Sequence, residues 1–164
     1  MKLSKNFSKA ELCKSQTATR MGLNNNPTDD QTENLRLLCE RVLQPVRDHF
    51  NQVVSISSGF RDPILSQKIG SSIDSQHCKG EAADLEIFGV ANNELADWIK
   101  ENLMFDQLIL EYYTPGEPNS GWVHVSYTKE INSNRKEYLM ATKNATGKTE
   151  YKQILGLSTD RYVK

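Results

Sequence analysis

Ser75-Gln76-His77-Cys78-Lys79-Gly80-Glu81-Ala82-Ala83-Asp84 leads into Leu85-Glu86-Ile87, and the reading of this stretch decides the fold. Gly80 lets the chain turn tightly after His77, and the residues from Ala82 to Ile87 predict a strand. In a strand, Ala82, Asp84 and Glu86 share one face while Ala83, Leu85 and Ile87 share the other. Trp122-Val123-His124-Val125-Ser126-Tyr127 follows the same pattern, with Val123, Val125 and Tyr127 on an apolar face and Trp122, His124 and Ser126 opposite. Each strand therefore has one face to bury and one carrying a candidate ligand. Adjacent placement of the two strands would bring Asp84 and His124 together, with His77 folding over the same spot from the preceding loop. Two imidazoles and a carboxylate are a known ligand set for catalytic zinc, leaving a fourth position for water. The plainer alternative is that Asp84 caps a turn and His124 is a hydrogen-bonded sheet residue.

Working outward, Val53 to Ser57 predicts a strand stopped by Gly59, and Gln107 to Glu111 predicts another. A loop holding Pro115, Gly116, Pro118 and Gly121 joins that strand to Trp122–Tyr127. Asn92 is placed to cap a helix that buries Leu95, Trp98, Ile99 and Leu103. Upstream, Ser8 and Glu11 form a capping box for a short helix, and Thr28-Asp29-Asp30-Gln31 opens a longer one. Leu35, Leu38, Val42 and Val46 recur along it at helical spacing, while Pro45 predicts a kink or an early end. Pro63 to Ile69 predicts one or two helical turns. Helices first, then strands with an interposed helix, give a single α+β domain with a small, mainly antiparallel sheet flanked by helices. Residues 1–145 are assigned to that domain. Residues 146–164, polar apart from Ile154-Leu155-Gly156-Leu157, form a C-terminal extension whose order is left open.

At 164 residues the chain can bury a core without disulfide staples. Its 20 Lys+Arg against 21 Asp+Glu leave a net charge of −1, which argues against nucleic acid as a partner, since that needs a concentrated basic face. No run approaches the roughly 20 apolar residues that span a bilayer, so no membrane partner is expected. The first residues hold no apolar core of a secretory signal, so the protein is expected to be cytoplasmic as synthesised. Cys13, Cys39 and Cys78 are an odd count without metal-knuckle spacing and fit reduced thiols.

Ser75-x-His77-x-x-Gly80-x-Ala82-x-Asp84 resembles the Ser-x-His-x-x-Gly-x-Ala-x-Asp signature of the M15 peptidases. These are zinc D-Ala-D-Ala carboxypeptidases, dipeptidases and peptidoglycan endopeptidases that share a zinc fold with Hedgehog signalling domains. Trp122-Val123-His124-Val125-Ser126 resembles the family's second signature. Phe7-Ser8 through Ser15-Gln16-Thr17-Ala18, Val42 to Arg47, Ser57 to Arg61 and Phe105 to Ile109 are similar to its phage and bacterial branch. The resemblance implies a Hedgehog/DD-peptidase-like fold, a zinc cofactor held by His77, Asp84 and His124, and hydrolysis of a peptide bond in the stem or cross-link peptide of peptidoglycan, one involving a D-amino acid. Carboxypeptidase and endopeptidase action both stay open.

The resemblance also gives Arg61 a substrate contact, in which its guanidinium holds a peptide carboxylate or the oxyanion of the tetrahedral intermediate; the alternative is a buried salt bridge. Ser75 is expected to hold the His77 loop by a local hydrogen bond and to border the substrate. Trp122 either stacks on substrate, shields the metal or packs in the core. Some family members place an acid a few residues before the last histidine, or a histidine two before it, where this chain has Gly121 and Trp122. The candidates for general base are therefore Glu111, favoured because a strand anchors it, and Glu117 in the loop. Cys78 is expected to be a spectator. The competing functional readings are a non-catalytic zinc-binding domain and a virion structural domain of the same fold. The enzyme is expected to work as a monomer on the cell wall, after release from the cell or as part of a virion.

Overall fold

A computed structural model describes residues 1–154 of the chain. The elements run α1 (Lys9–Cys13), α2 (Gln16–Met21), α3 (Asp29–Leu38), α4 (Gln44–Phe50), β1 (Ser55–Ser58), α5 (Pro63–Lys68), β2 (Ala82–Glu86), α6 (Asn92–Asn102), β3 (Gln107–Glu111), β4 (Trp122–Ser126), β5 (Glu137–Lys143) and β6 (Thr149–Gln153). The strands form a six-stranded sheet in the order β1-β2-β4-β3-β5-β6, with β1 and β6 at its edges. Every neighbouring pair is antiparallel except β3 and β5. The molecule is thus a single α+β domain with a mostly antiparallel sheet. No helix among the described residues is long and apolar enough to cross a membrane.

Helix starts follow from local chemistry. The Ser8 hydroxyl accepts the Glu11 N–H at α1, and at α3 Thr28 and Gln31 make both halves of a capping box. Pro45 does not end the long helix. A proline lacks an N–H and crowds the carbonyl four residues back. The chain answers with one π turn over Cys39–Leu43, in which the Gln44 N–H donates to the Cys39 carbonyl, and α4 continues beyond it. Leu35, Leu38, Val42 and Val46 stay on one face throughout and are fully buried.

Those side chains meet one face of the sheet. Ala83 and Leu85 of β2, Leu108 and Leu110 of β3, and Val123 and Val125 of β4 pack with Leu95 and Ile99 of α6 in a continuous core. Burying a side chain of this size stabilises the fold by about 1.5–3 kcal/mol each. The opposite face, bearing Asp84, His124 and Glu111, is left for chemistry.

Two expectations change. Asn92 does not cap α6; Ala91 occupies that position. The Asn92 side chain is buried and its amide instead donates to Glu86 Oε1, the Ser120 carbonyl and the Gly121 carbonyl at 3.1, 3.0 and 3.2 Å, tying the β3–β4 loop to the end of β2. The sheet is also wider than the four strands read from the sequence, because β5 and β6 extend it beside β3. β6 falls within residues 146–164, and Ile154 after it is buried in the core. Leu155, Gly156 and Leu157 lie outside the described residues.

Candidate metal centre

Strand pairing brings the proposed ligands together. Asp84 on β2 is directly opposite His124 on β4. His77 stands on a short 3-10 turn (Gln76–Lys79) that precedes β2. Ser75 caps this turn, its hydroxyl accepting the His77 N–H at 3.2 Å. Gly80 closes the turn with φ of 75°, and any Cβ there would lie 2.4 Å from the Gln31 carbonyl oxygen, so both backbone conformation and space require glycine.

His77 is 2% exposed. Its Nδ1 lies 2.7 Å from the Gly59 carbonyl oxygen, which can only accept, so Nδ1 carries the proton and Nε2 presents its lone pair to the site. That Nε2 is 3.4 Å from Asp84 Oδ1, and His124 Nδ1 is 3.0 Å from the same oxygen. Two ligands at tetrahedral angles on a zinc ion, with bonds of about 2.0–2.1 Å, would stand about 3.3 Å apart. One donor atom from each of the three residues falls within 4.8 Å of the others. The donor set and its spacing therefore fit a divalent metal.

The electrostatics agree. Burial pushes the His77 imidazole below its ordinary value against the pull of Asp84, which keeps it neutral and able to ligate. Burial acts to raise the Asp84 carboxyl, but the imidazoles beside it, above all the hydrogen bond from His124, hold it well below the usual carboxylate range. Cys78, although adjacent to His77, turns its Sγ to the Ser72 carbonyl at 3.8 Å and is not part of the donor group. His49, the third histidine, stacks on Trp98 with ring centroids 4.3 Å apart.

These three residues line a cavity of about 510 Å³. Arg61, Ser75, Glu111 and Trp122 line it too. Glu111 pairs with Trp122 across β3 and β4, two pairs along from Ile109 and His124, so it sits on the same face as the ligands. Burial raises its carboxyl above the ordinary range; the charges of His124 and Arg61 oppose that rise and Asp84 adds to it. Such a carboxylate is better suited to accept and return a proton near neutral pH. Glu117 is exposed in the β3–β4 loop, bridged to Thr114, and is not among the residues lining the cavity. Trp122 packs against Tyr112 at 5.4 Å between ring centroids.

Other members of the site had no signal in the sequence. The Gly59 carbonyl that orients His77 is a backbone atom. Asp106, 3% exposed, accepts from Arg135 and from Gln76 Nε2 at 2.9 Å, and so braces the His77 turn from the start of β3. Tyr151 of β6 reaches the cavity because β5 sets Ala141 beside Glu111, and β6 sets Tyr151 beside Ala141.

Fold and site together define a small α+β protein with, among the described residues, one two-histidine, one-aspartate group able to hold a metal on the open face of its sheet. A family model described as Peptidase M15 matches residues 5–126, and the chain belongs to the peptidase M15 family. Comparison with curated proteins returned no match. Membership implies a metal-dependent peptidase. The matched segment ends with β4, so β5 and β6, Tyr151 included, lie beyond it.

Proposed function

We propose that this protein is a zinc-dependent hydrolase of a peptide bond in the stem or cross-link peptide of peptidoglycan, at a bond involving a D-amino acid. The observation that carries the reading is the convergence of His77, Asp84, His124 and Glu111 on one cavity. His77 Nε2, Asp84 Oδ1 and His124 Nδ1 would hold the ion. Bound zinc supplies acidity to a water molecule and polarisation to a carbonyl. Glu111 takes the proton of the attacking water and delivers it to the leaving amine, a role its raised carboxyl suits. Arg61 orients the substrate: its Nε is buried without a hydrogen-bond partner among the described residues, and its backbone N–H is fixed to the His77 carbonyl at 3.1 Å. The resemblance of the Ser75–Asp84 decapeptide to wall-cleaving relatives supports peptidoglycan as the substrate.

Mass spectrometry of muropeptides incubated with the zinc-loaded protein, with and without chelator, tests this. New fragments that vanish on chelation and return with zinc are expected, and their masses identify the bond. Intact muropeptides from several wall chemistries, in the presence of protein holding stoichiometric zinc, would overturn the reading in favour of a non-catalytic metal domain.

A further inference from the structure

A second cavity, of about 490 Å³, adjoins the metal centre, and Arg61 lines both. Lys14 and Thr17 from the α1–α2 junction, Ser57 and Ser58 of β1, and Leu65 of α5 form much of its wall. Ser58 pairs with Asp84, so this wall is the strand next to a proposed metal ligand.

The two cavities differ in charge. Asp74, Asp84 and Glu111 line the metal cavity. Lys14 and Arg61 are the charged residues lining the second, and no acidic side chain lines it. Two cations beside hydroxyl-bearing residues, in a cavity with no acidic lining residue, are complementary to an anion, and guanidinium binds carboxylate with particular strength.

The two cationic segments are clamped together. The Asn25 side-chain amide donates to the Cys13 carbonyl at 2.8 Å and to the Phe60 carbonyl at 3.0 Å, while its oxygen accepts the Asp62 N–H at 2.8 Å. One side chain thereby brackets Arg61 on both sides and secures the residue before Lys14. The Phe60 N–H donates to the Leu12 carbonyl at 2.7 Å, and a Cβ on Gly59 would lie 2.2 Å from that carbonyl oxygen. Such a site is organised before anything binds, which lowers the ordering cost of binding.

We propose that this second cavity is a subsite for a carboxylate-bearing segment of the peptide substrate, held by Lys14 and Arg61 while the scissile bond lies at the metal centre. The proposal rests on the peptidase reading above and makes Lys14 a specificity residue for acidic peptides.

The test uses the zinc-loaded full-length protein, a stem pentapeptide, and derivatives in which each free carboxylate in turn is a carboxamide. One carboxamide is expected to raise KM about fivefold with little change in kcat, the value of an exposed ion pair. Lys14→Gln should raise KM for the parent peptide by a similar factor and add nothing for that carboxamide, because the partner is already gone. Independent, multiplying effects, or none, overturn the subsite. If no peptide is hydrolysed, the peptidase reading fails, and calorimetric Kd values for the same peptides and variant decide the subsite by themselves. Coupling between Lys14 and one carboxylate then upholds it, and uncoupled or absent binding overturns it.

Discussion

His77 is held at both ends of its ring. Gly59 fixes the proton on Nδ1, and the opposite nitrogen faces Asp84. A ligand oriented in this way loses little freedom when it takes up an ion. Glu111 occupies a different position, on the same face but outside the donor group. The two residues should therefore fail in different ways. His77→Ala is expected to lose stoichiometric zinc, read by elemental analysis of dialysed protein. Glu111→Gln should keep the zinc and lower kcat by about 10²–10⁴-fold, the usual worth of a positioned acid–base group. Full activity in Glu111→Gln would remove it as the base. The ligands were legible because strand alternation sorts Asp84 and His124 onto one face whatever the partners. The identity of the base was less so, since its choice depends on which of two acids the cavity walls include, and cavity walls are tertiary.

Among elements, the 3-10 turn carrying His77 depends most on its surroundings. Four residues cannot hold a helical turn in water by themselves. Ser75 caps it, and Gln76 anchors it to Asp106, which also receives two side-chain hydrogen bonds and a backbone N–H from Arg135. Burial acts to raise the Asp106 carboxyl, but the Arg135 hydrogen bonds and charge bring it below the ordinary carboxylate value. A depressed folded-state pKa means stability that is present above the unfolded value, near 3.9, and is lost as pH falls through the folded one. Asp106→Asn should cost about 2 kcal/mol in urea unfolding at neutral pH, with the gap from the parent narrowing below about pH 4. A gap that does not change with pH would show that the carboxylate charge is not involved. This brace was invisible beforehand because Gln76, Asp106 and Arg135 are separated by about thirty residues each. The strand β6 escaped for a related reason. Its residues Thr149 to Gln153 are almost all exposed, so they carry no apolar alternation to read.

For the whole molecule, the matched family segment and the folded unit do not coincide. The match ends with β4, while the sheet continues through β5 and β6 and the core takes in Tyr138 and Ile154. A chain stopped after Ala145 should lose β6, the buried Ile154 and the Tyr151 wall of the cavity. Removing a buried aliphatic side chain alone costs about 2–5 kcal/mol, so the truncated protein should melt several degrees lower and bind peptide substrate less tightly. Calorimetry and KM of the two chains side by side would check this; equal melting temperatures would mean that β6 is a passenger.

The two outermost strands also govern behaviour when many copies are crowded together. An open sheet leaves unpaired amides and carbonyls at each rim, and a long, flat, greasy rim recruits neighbours into fibrils. Here β1 has four residues and an irregular register against β2, and β6 alternates Glu150 and Lys152 around Tyr151. A short, uneven rim on one side and a charged one on the other make poor templates for growth, so the fold keeps an open sheet while discouraging fibre assembly.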